Sequence, residues 1–157
     1  ENPSVIGDVS HTNSIEKVYL TKMAGVTSLR PGDNLLIYRT SDGQGPARYR
    51  SVATSVCVVQ EVRDIREFDS YDKFVNYCGP YSVFDTDELE LLYRKKNYPY
   101  IIKFTYNFPL EKRVIRDDIM NITGYNDNDY WGFLKLSDDH FKKIVKLGGV
   151  DESFIIN

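Results

Sequence analysis

The sequence predicts an α+β fold in which a mixed, mostly antiparallel β-barrel carries inserted and flanking helices. Strand-like runs rich in Val, Ile and Tyr recur along the chain, and turn residues separate them. Amphipathic runs that follow capping residues predict helices between and after these strands. The resulting order is β-loop-β-β-α-α-β-β-α-β-α, which favours a mixed, mostly antiparallel barrel with helices inserted between its strands.

The length of the chain favours one globular domain. It has 157 residues, of which 41% are apolar and 13% aromatic, which is enough for a sizeable core. Residues 1–15 are polar and contain Pro, Gly, Ser and Asn, a composition typical of a linker or flexible arm. We therefore expect a single domain over residues 16–157. Since the chain begins at Glu1, one interpretation is that it is a domain of a longer protein.

The predicted strands have turn residues or proline at their boundaries. The Pro31-Gly32-Asp33 turn sets the start of the second strand. The run over residues 98–115 is expected to bend into two strands around Asn107–Pro109, because proline cannot occupy a central ladder position. The strand-like runs are 17–20, 34–39, a long bent run from Tyr49 to Val62, 98–115, and a last strand within 125–136.

The predicted helices begin at residues that cap helices well. Ser70 and Asp85 precede two apolar stripes and are expected to be N-caps. A third, short helix is expected to end at Gly124, and the last one, over 137–149, turns apolar side chains inward. These inward side chains are Phe141, Ile144 and Val145.

Charge and cysteine content limit the possible functions. A net charge of -3 excludes binding of a polyanion by overall attraction and leaves only a local basic patch. Cys57 and Cys78 lack the spacing of a metal site, so we expect buried thiols in a reducing, cytoplasmic compartment. No apolar run approaches the roughly 18 residues of a membrane span. We expect no metal, no cofactor and no membrane contact.

A basic and aromatic stretch lies around the loop after the second strand. It places Arg39, Arg48 and Arg50 close in sequence to Tyr38 and Tyr49. Arginine pairs with phosphates and base edges, and tyrosine offers a flat face to a base. In a strand, Arg48 and Arg50 share one side and Tyr49 packs inward on the other. The alternative is that these arginines are a solvated strand end paired with acidic side chains.

Two further positions suit a ligand site. Ser51 opens a run of small hydroxyl residues that allows close approach of a ligand to the backbone, although close packing would select the same residues. Trp131 is the only tryptophan, and it either stacks on a base or belongs to the core.

Three stretches carry a resemblance to a known group of domains. The group is that of the PUA-like domains, in particular the ASCH and EVE branches. Their GD-containing strand resembles LRPGDNLLIYR, and their long second strand resembles YRSVATSVCVVQEV. Their closing strand and helix resemble YWGFLKLSDDHFKKIV. The resemblance covers most of Lys17–Leu147. It implies a pseudo-barrel with a cleft for RNA or a modified nucleobase.

The leading hypothesis is a non-catalytic domain that binds RNA, DNA or a modified nucleobase, with no catalytic residue assigned. It combines the resemblance with the chemistry of the basic, aromatic stretch. The expected contacts are Tyr38, Arg39, Arg48, Arg50, Ser51 and Trp131.

Two alternatives stay open. One is a protein-interaction or regulatory domain appended to a larger enzyme such as an N-acetyltransferase, which the linker-like start favours. The other follows from small ASCH-like proteins that resemble nucleoside amidohydrolases. It would use Thr21 and Lys22 with Glu61 or Glu88, since a lysine becomes a nucleophile where its pKa is depressed.

Overall fold

The computed structural model describes residues 16–40, 43–79, 82 and 84–150. It contains a four-stranded antiparallel sheet with the order β1-β4-β3-β2, together with several helices, so the α+β class is confirmed. The strands are β1 (Glu16–Thr21), β2 (Asn34–Arg39), β3 (Val52–Asp64) and β4 (Tyr100–Ile115). The helices are α1 (Ala47–Arg50), α2 (Tyr71–Cys78), α3 (Thr86–Lys95), α4 (Arg116–Thr123) and α5 (Asp138–Leu147), and 3₁₀ turns cover Ala24–Ser28 and Ile65–Glu67.

The predicted barrel is wrong, because the sheet is open and β1 and β2 form its edges. The predicted last strand forms turns instead. In that segment the Asn126 amide donates to the Asp129 carboxylate at 2.8 Å, and the Asp129 amide donates back to the Asn126 carbonyl at 3.1 Å. Asn and Asp side chains that bond their own backbone compete with a strand ladder, so this segment adds no fifth strand to the sheet.

β4 is one continuous strand, so the predicted bend into two strands is wrong. Its register with β1 runs only from Tyr100, opposite Thr21, to Thr105, opposite Glu16. Pro109 lies past the end of that register, where a missing N–H removes no bond to β1. A long central strand can therefore carry a proline.

β3 begins at Val52 and not at Tyr49, because the preceding residues form the helical turn α1. The amides of Tyr49 and Arg50 both donate to the Pro46 carbonyl, at 3.0 and 3.1 Å. Proline has a fixed φ that suits a helix start. The strand alternation expected for Arg48, Tyr49 and Arg50 is therefore wrong, and Tyr49 is 53% exposed where inward packing was predicted.

The described chain divides into two compact units. Among the described residues, the first unit comprises those within 16–35 and 57–107, and the second comprises those within 36–56 and 108–150. The single domain over 16–157 stays a prediction, and the predicted arm over 1–15 lies outside the described residues. Among the described residues, no helix is both long and apolar enough to cross a membrane.

The first unit has an aliphatic and aromatic core between its strands and helices. Its buried members are Val18, Leu20, Ile65, Phe74, Cys78, Leu89 and Ile101. As predicted, Ser70 caps α2 by accepting from the Lys73 amide at 3.2 Å. Asp85 caps α3 and forms a reciprocal capping box with Glu88. These caps set where each helix begins and so which face meets the core.

The second unit packs α4 and α5 against strand residues. Phe141, Ile144 and Val145 are buried on α5, as predicted. Ser137 caps this helix by accepting from the His140 amide at 3.1 Å. The remaining buried apolar residues of its core are Ala53, Val56, Val114, Ile119 and Val150.

Both cysteine thiols are buried, as predicted, and burial raises the pKa of Cys57 and of Cys78 to about 12. Since the thiolate is the nucleophile, we expect iodoacetamide at pH 8 to label neither thiol in the folded protein and both in urea. Mass spectrometry checks the labelling, and equal rates with and without urea would contradict it.

The buried thiols also make the stability of the fold depend on pH. Because their pKa values rise on folding from an ordinary 9.0, the free energy of unfolding should fall as the pH rises above 9.

Candidate functional site

A cluster of aromatic and basic side chains lies in the second unit. We call Tyr38, Ser51, Arg116 and Trp131 the Trp131 cluster. The ring centroids of Tyr38 and Trp131 are 5.6 Å apart, and the planes are tilted by 33°. The Arg116 guanidinium lies 4.3 Å from the centroid of the Trp131 ring, within the range of a cation–π contact. Both contacts are to the indole ring, so Trp131 is the centre of the cluster.

Backbone hydrogen bonds fix the positions of these side chains. Arg116 opens α4, and its amide donates to the Ser51 carbonyl at 2.9 Å. Trp131 follows the Asn126–Asp129 turn, and its indole N–H donates to the Asn126 carbonyl at 2.9 Å. Tyr38 lies near the end of β2. The sheet, a helix start and a polar turn therefore each hold one part of the cluster.

Three side-chain atoms in the second unit are buried without a hydrogen-bond partner: Tyr38 Oη, Arg39 Nε and Arg116 Nε. Buried polar atoms are normally paired, and each unpaired one costs about 1–3 kcal/mol. Two of the three belong to the Trp131 cluster and the third belongs to the neighbour of Tyr38. Polar atoms retained at such a cost suit a site where a ligand supplies the missing partners.

Burial also sets the protonation of Tyr38. It raises the pKa of the hydroxyl above its usual value, while nearby Ser51 and Arg116 act in the opposite direction. Their effect is that of nearby hydrogen-bonding groups, so Ser51 and Arg116 both lie close to the hydroxyl, although neither forms a regular hydrogen bond with it. Because the net shift of the pKa is upward, Tyr38 stays protonated at neutral pH and its hydroxyl can donate to a ligand.

An acidic residue bridges two arginines beside the cluster. Asp127 lies 3.4 Å from Arg48 Nη2 and 3.4 Å from Arg116 Nη2. Arg48 Nε also lies 3.7 Å from Asp117. Asp127 is the main cause of a raised pKa of Arg48. In this structure Arg48 is therefore a surface arginine paired with acidic side chains, which is the alternative given in the sequence analysis.

The structure brings part of the predicted site together. Tyr38, Ser51 and Trp131 lie in one cluster, and Arg48 joins it through Asp127. Arg39 ends β2 next to Tyr38. Arg50 ends α1, with its side chain close to Gly45. The role of these residues in ligand contact stays a prediction.

Sequence reasoning missed Arg116 and Asp127. The sequence predicts only that Arg116 belongs to a short helix ending at Gly124 and that Asp127 belongs to the segment 125–136 with the last strand. One signal was available, because an arginine at the first residue of a helix is unfavourable for the helix dipole. Such a residue calls for another reason to be there, and the contact with Trp131 supplies one.

The residues of the amidohydrolase alternative have other contacts. Lys22 is exposed and lies 5.8 Å from the centroid of the Tyr98 ring. Glu61 accepts a hydrogen bond of 2.5 Å from the Tyr77 hydroxyl. Glu88 belongs to the capping box of α3. Glu61 and Glu88 are therefore engaged in hydrogen bonds of the fold, whereas Lys22 lies at the surface.

A different lysine is buried in the first unit. Lys17 and Thr21 are both buried on β1, and burial lowers the pKa of Lys17. Sequence analysis did not single out Lys17, because a lysine in a short edge strand is usually solvated. Among the described residues, no group of three or more His, Cys, Asp or Glu side chains is placed to hold a metal ion.

The first unit has an open cavity of about 380 Å³. Arg30, Glu61, Arg63, Glu67 and Tyr100 are among its lining residues. Several of its charged groups are paired, since Arg63 Nε donates to Glu67 at 2.9 Å and Glu61 accepts from the Tyr77 hydroxyl. This cavity therefore lacks the unpartnered polar atoms that mark the Trp131 cluster.

Comparison with known proteins identifies the fold. No protein-family model matches the sequence, and no curated protein matches it. Among solved structures, ASCH from Zymomonas mobilis is similar over 94% of this chain and 91% of that chain, with a TM-score of 0.59 and 12% identity. The fold is of the ASCH type. A serine-to-alanine mutant of ASCH from the same organism is similar over 94% and 92% of the two chains, with a TM-score of 0.54 and 11% identity.

This likeness confirms the predicted resemblance at the level of the ASCH and PUA-like fold. At 11–12% identity it shows the fold alone. A shared fold does not determine the ligand, which depends on the residues of this chain.

Proposed function

We propose that this ASCH-type chain binds single-stranded nucleic acid, or a modified base within it, at the Trp131 cluster. The observation that carries the proposal is the pair of buried, unpartnered atoms, Tyr38 Oη and Arg116 Nε, beside the Trp131 ring. A flat heterocycle with acceptor atoms on its edge offers both a stacking face and the missing partners.

The chemistry of the cluster favours a nucleobase over a purely apolar ligand. Aromatic side chains stack on bases, with about 1–3 kcal/mol per base. The Arg116 Nε–H can only donate, and the Tyr38 hydroxyl can donate or accept. A base edge with a carbonyl oxygen or an unprotonated ring nitrogen complements this pair.

The acidic balance of the chain limits how it binds nucleic acid. With a net charge of -3, overall attraction to a polyanion is absent, and only a few phosphates can be contacted. The affinity for a single strand then falls with salt by a small slope, about 0.7 per phosphate contacted. A duplex hides its base faces, so we expect it to bind more weakly than a single strand.

We test the proposal by titrating the protein with eight-nucleotide single-stranded RNA, the same DNA sequence, and a duplex of it. Trp131 is the only tryptophan, so its emission reports the cluster directly. We expect a saturable quench with a single strand and a weaker response with the duplex. A flat emission signal in all three titrations would overturn the proposed function.

The two alternatives from the sequence stay predictions. A protein-interaction or regulatory domain appended to a larger enzyme requires a partner surface. A nucleoside amidohydrolase requires an activated lysine, for which the buried Lys17 is a better candidate than the exposed Lys22. Neither alternative accounts for the unpartnered atoms at Tyr38 and Arg116.

A further inference from the structure

The contact between Asp127 and two arginines has the form of a filled anion site. One carboxylate lies between the guanidinium groups of Arg48 and Arg116, at 3.4 Å from each. We propose that these arginines form a subsite for a phosphate group of the bound nucleic acid, and that Asp127 takes the place of this phosphate in the present structure. The identity of the phosphate rests on the proposed function.

The distances show that a carboxylate fits this subsite poorly. Charge-assisted N–H···O bonds are usually about 2.7–2.9 Å long. The contacts of Arg48 and Arg116 with Asp127 are 3.4 Å, and that of Arg48 with Asp117 is 3.7 Å. Arg116 Nε forms no regular hydrogen bond. The Arg48 and Arg116 guanidinium groups therefore share carboxylates at distances longer than those of a strong ion pair.

A phosphate group is larger than a carboxylate and is tetrahedral. Its non-bridging oxygens point in several directions and can meet two guanidinium forks together, which the two coplanar oxygens of a carboxylate do less well. The Arg48 side chain is 42% exposed and that of Arg116 is 13% exposed, so the subsite reaches from the surface to the Trp131 ring. This places a backbone phosphate next to a stacked base.

The Asp127 carboxylate can move away from the two arginines without disrupting its turn. The hydrogen bonds that shape the turn come from Asn126, Asn128 and Asp129, and not from the Asp127 side chain. The Asp127 side chain is already 57% exposed. Moving its carboxylate into water costs little for Asp127 itself, and a bound phosphate takes over the pairing of the largely buried Arg116, which would otherwise lose its counterion.

The test compares Asp127→Asn with Asp129→Asn. Both changes remove one negative charge from the same turn, and asparagine at 129 keeps the oxygen that accepts from the Asn126 amide. We expect inorganic phosphate to perturb Trp131 emission of Asp127→Asn at about tenfold lower concentration than for the wild type, a gain of about 1.4 kcal/mol. Asp129→Asn should resemble the wild type, and adding Arg48→Ala to Asp127→Asn should remove the gain.

The same proteins are then titrated with the eight-nucleotide RNA at several salt concentrations. A bound phosphate displaces the carboxylate in the wild type but displaces solution anions in Asp127→Asn, so the variant should show a steeper salt slope. Equal phosphate responses of Asp127→Asn and the wild type, or an equal gain in Asp129→Asn, would overturn the phosphate subsite. A phosphate response that follows the expected order without RNA binding would support the anion subsite and overturn the proposed function.

Discussion

Replacing Arg116 with methionine is expected to weaken the binding of single-stranded RNA by about 30-fold or more. The guanidinium stacks on Trp131, carries an unpartnered donor and forms half of the proposed phosphate subsite. A hydrogen bond to a charged group contributes about 1.5–3 kcal/mol, and 1.4 kcal/mol is a factor of ten in affinity. Methionine keeps a long, unbranched side chain against the indole ring, so the packing should persist.

The measurement is the dissociation constant of the labelled RNA octamer, determined by fluorescence anisotropy. Arg66→Met is the matched control, because Arg66 is an exposed arginine of the first unit that pairs with Asp64 at 2.6 Å. We expect this control to bind RNA as the wild type does. Equal affinities of Arg116→Met and the wild type, with matching circular dichroism spectra, would remove Arg116 from the site.

Three helices, α2, α3 and α5, were predictable because local bonds determine where they begin. Ser70, Asp85 and Ser137 each accept from the backbone three residues ahead, so a short stretch of sequence contains the whole signal. The start of β2 is also determined locally, because this strand directly follows the Pro31–Asp33 turn. In these elements, side-chain chemistry and hydrophobic pattern agree.

The errors in the fold arose where two local signals disagree. The strand-like run predicted from Tyr49 begins within residues 47–50, but Pro46 starts a helical turn there. Residues 125–136 contain Tyr, Trp, Phe and Leu, yet Asn126 and Asp129 form a polar turn. In both places the backbone preference of a turn residue outweighs β propensity. The barrel prediction was wrong because residues 125–136 do not form its last strand.

The candidate site was predictable only in part, because it is assembled from distant segments. Tyr38, Ser51 and Trp131 stand out by residue chemistry, since aromatic and hydroxyl groups beside arginines suit a base. Asp127 has no such signal in its own segment, and the only local signal for Arg116 is its unfavourable position at the start of a helix. They gain a role only when the Arg116 amide bonds to Ser51 and its side chain meets Trp131.

Removing the Tyr38 hydroxyl is expected to stabilise the protein and weaken its function. The hydroxyl is buried without a partner, so Tyr38→Phe removes an uncompensated desolvation cost of about 1–3 kcal/mol. The same change deletes a group that a base edge would bond, which should lower the affinity for RNA about tenfold. Tyr93→Phe is the matched control, because the Tyr93 hydroxyl donates to the Phe68 carbonyl at 3.1 Å.

The most direct test of the account measures the free energy of unfolding in urea and the RNA dissociation constant for the wild type, Tyr38→Phe and Tyr93→Phe. We expect Tyr38→Phe to be more stable and to bind about tenfold more weakly. Tyr93→Phe should be less stable by about 1 kcal/mol and bind normally. If Tyr38→Phe were destabilised like the control and kept full affinity, the Tyr38 hydroxyl would be a structural group and the Trp131 cluster would not be a ligand site.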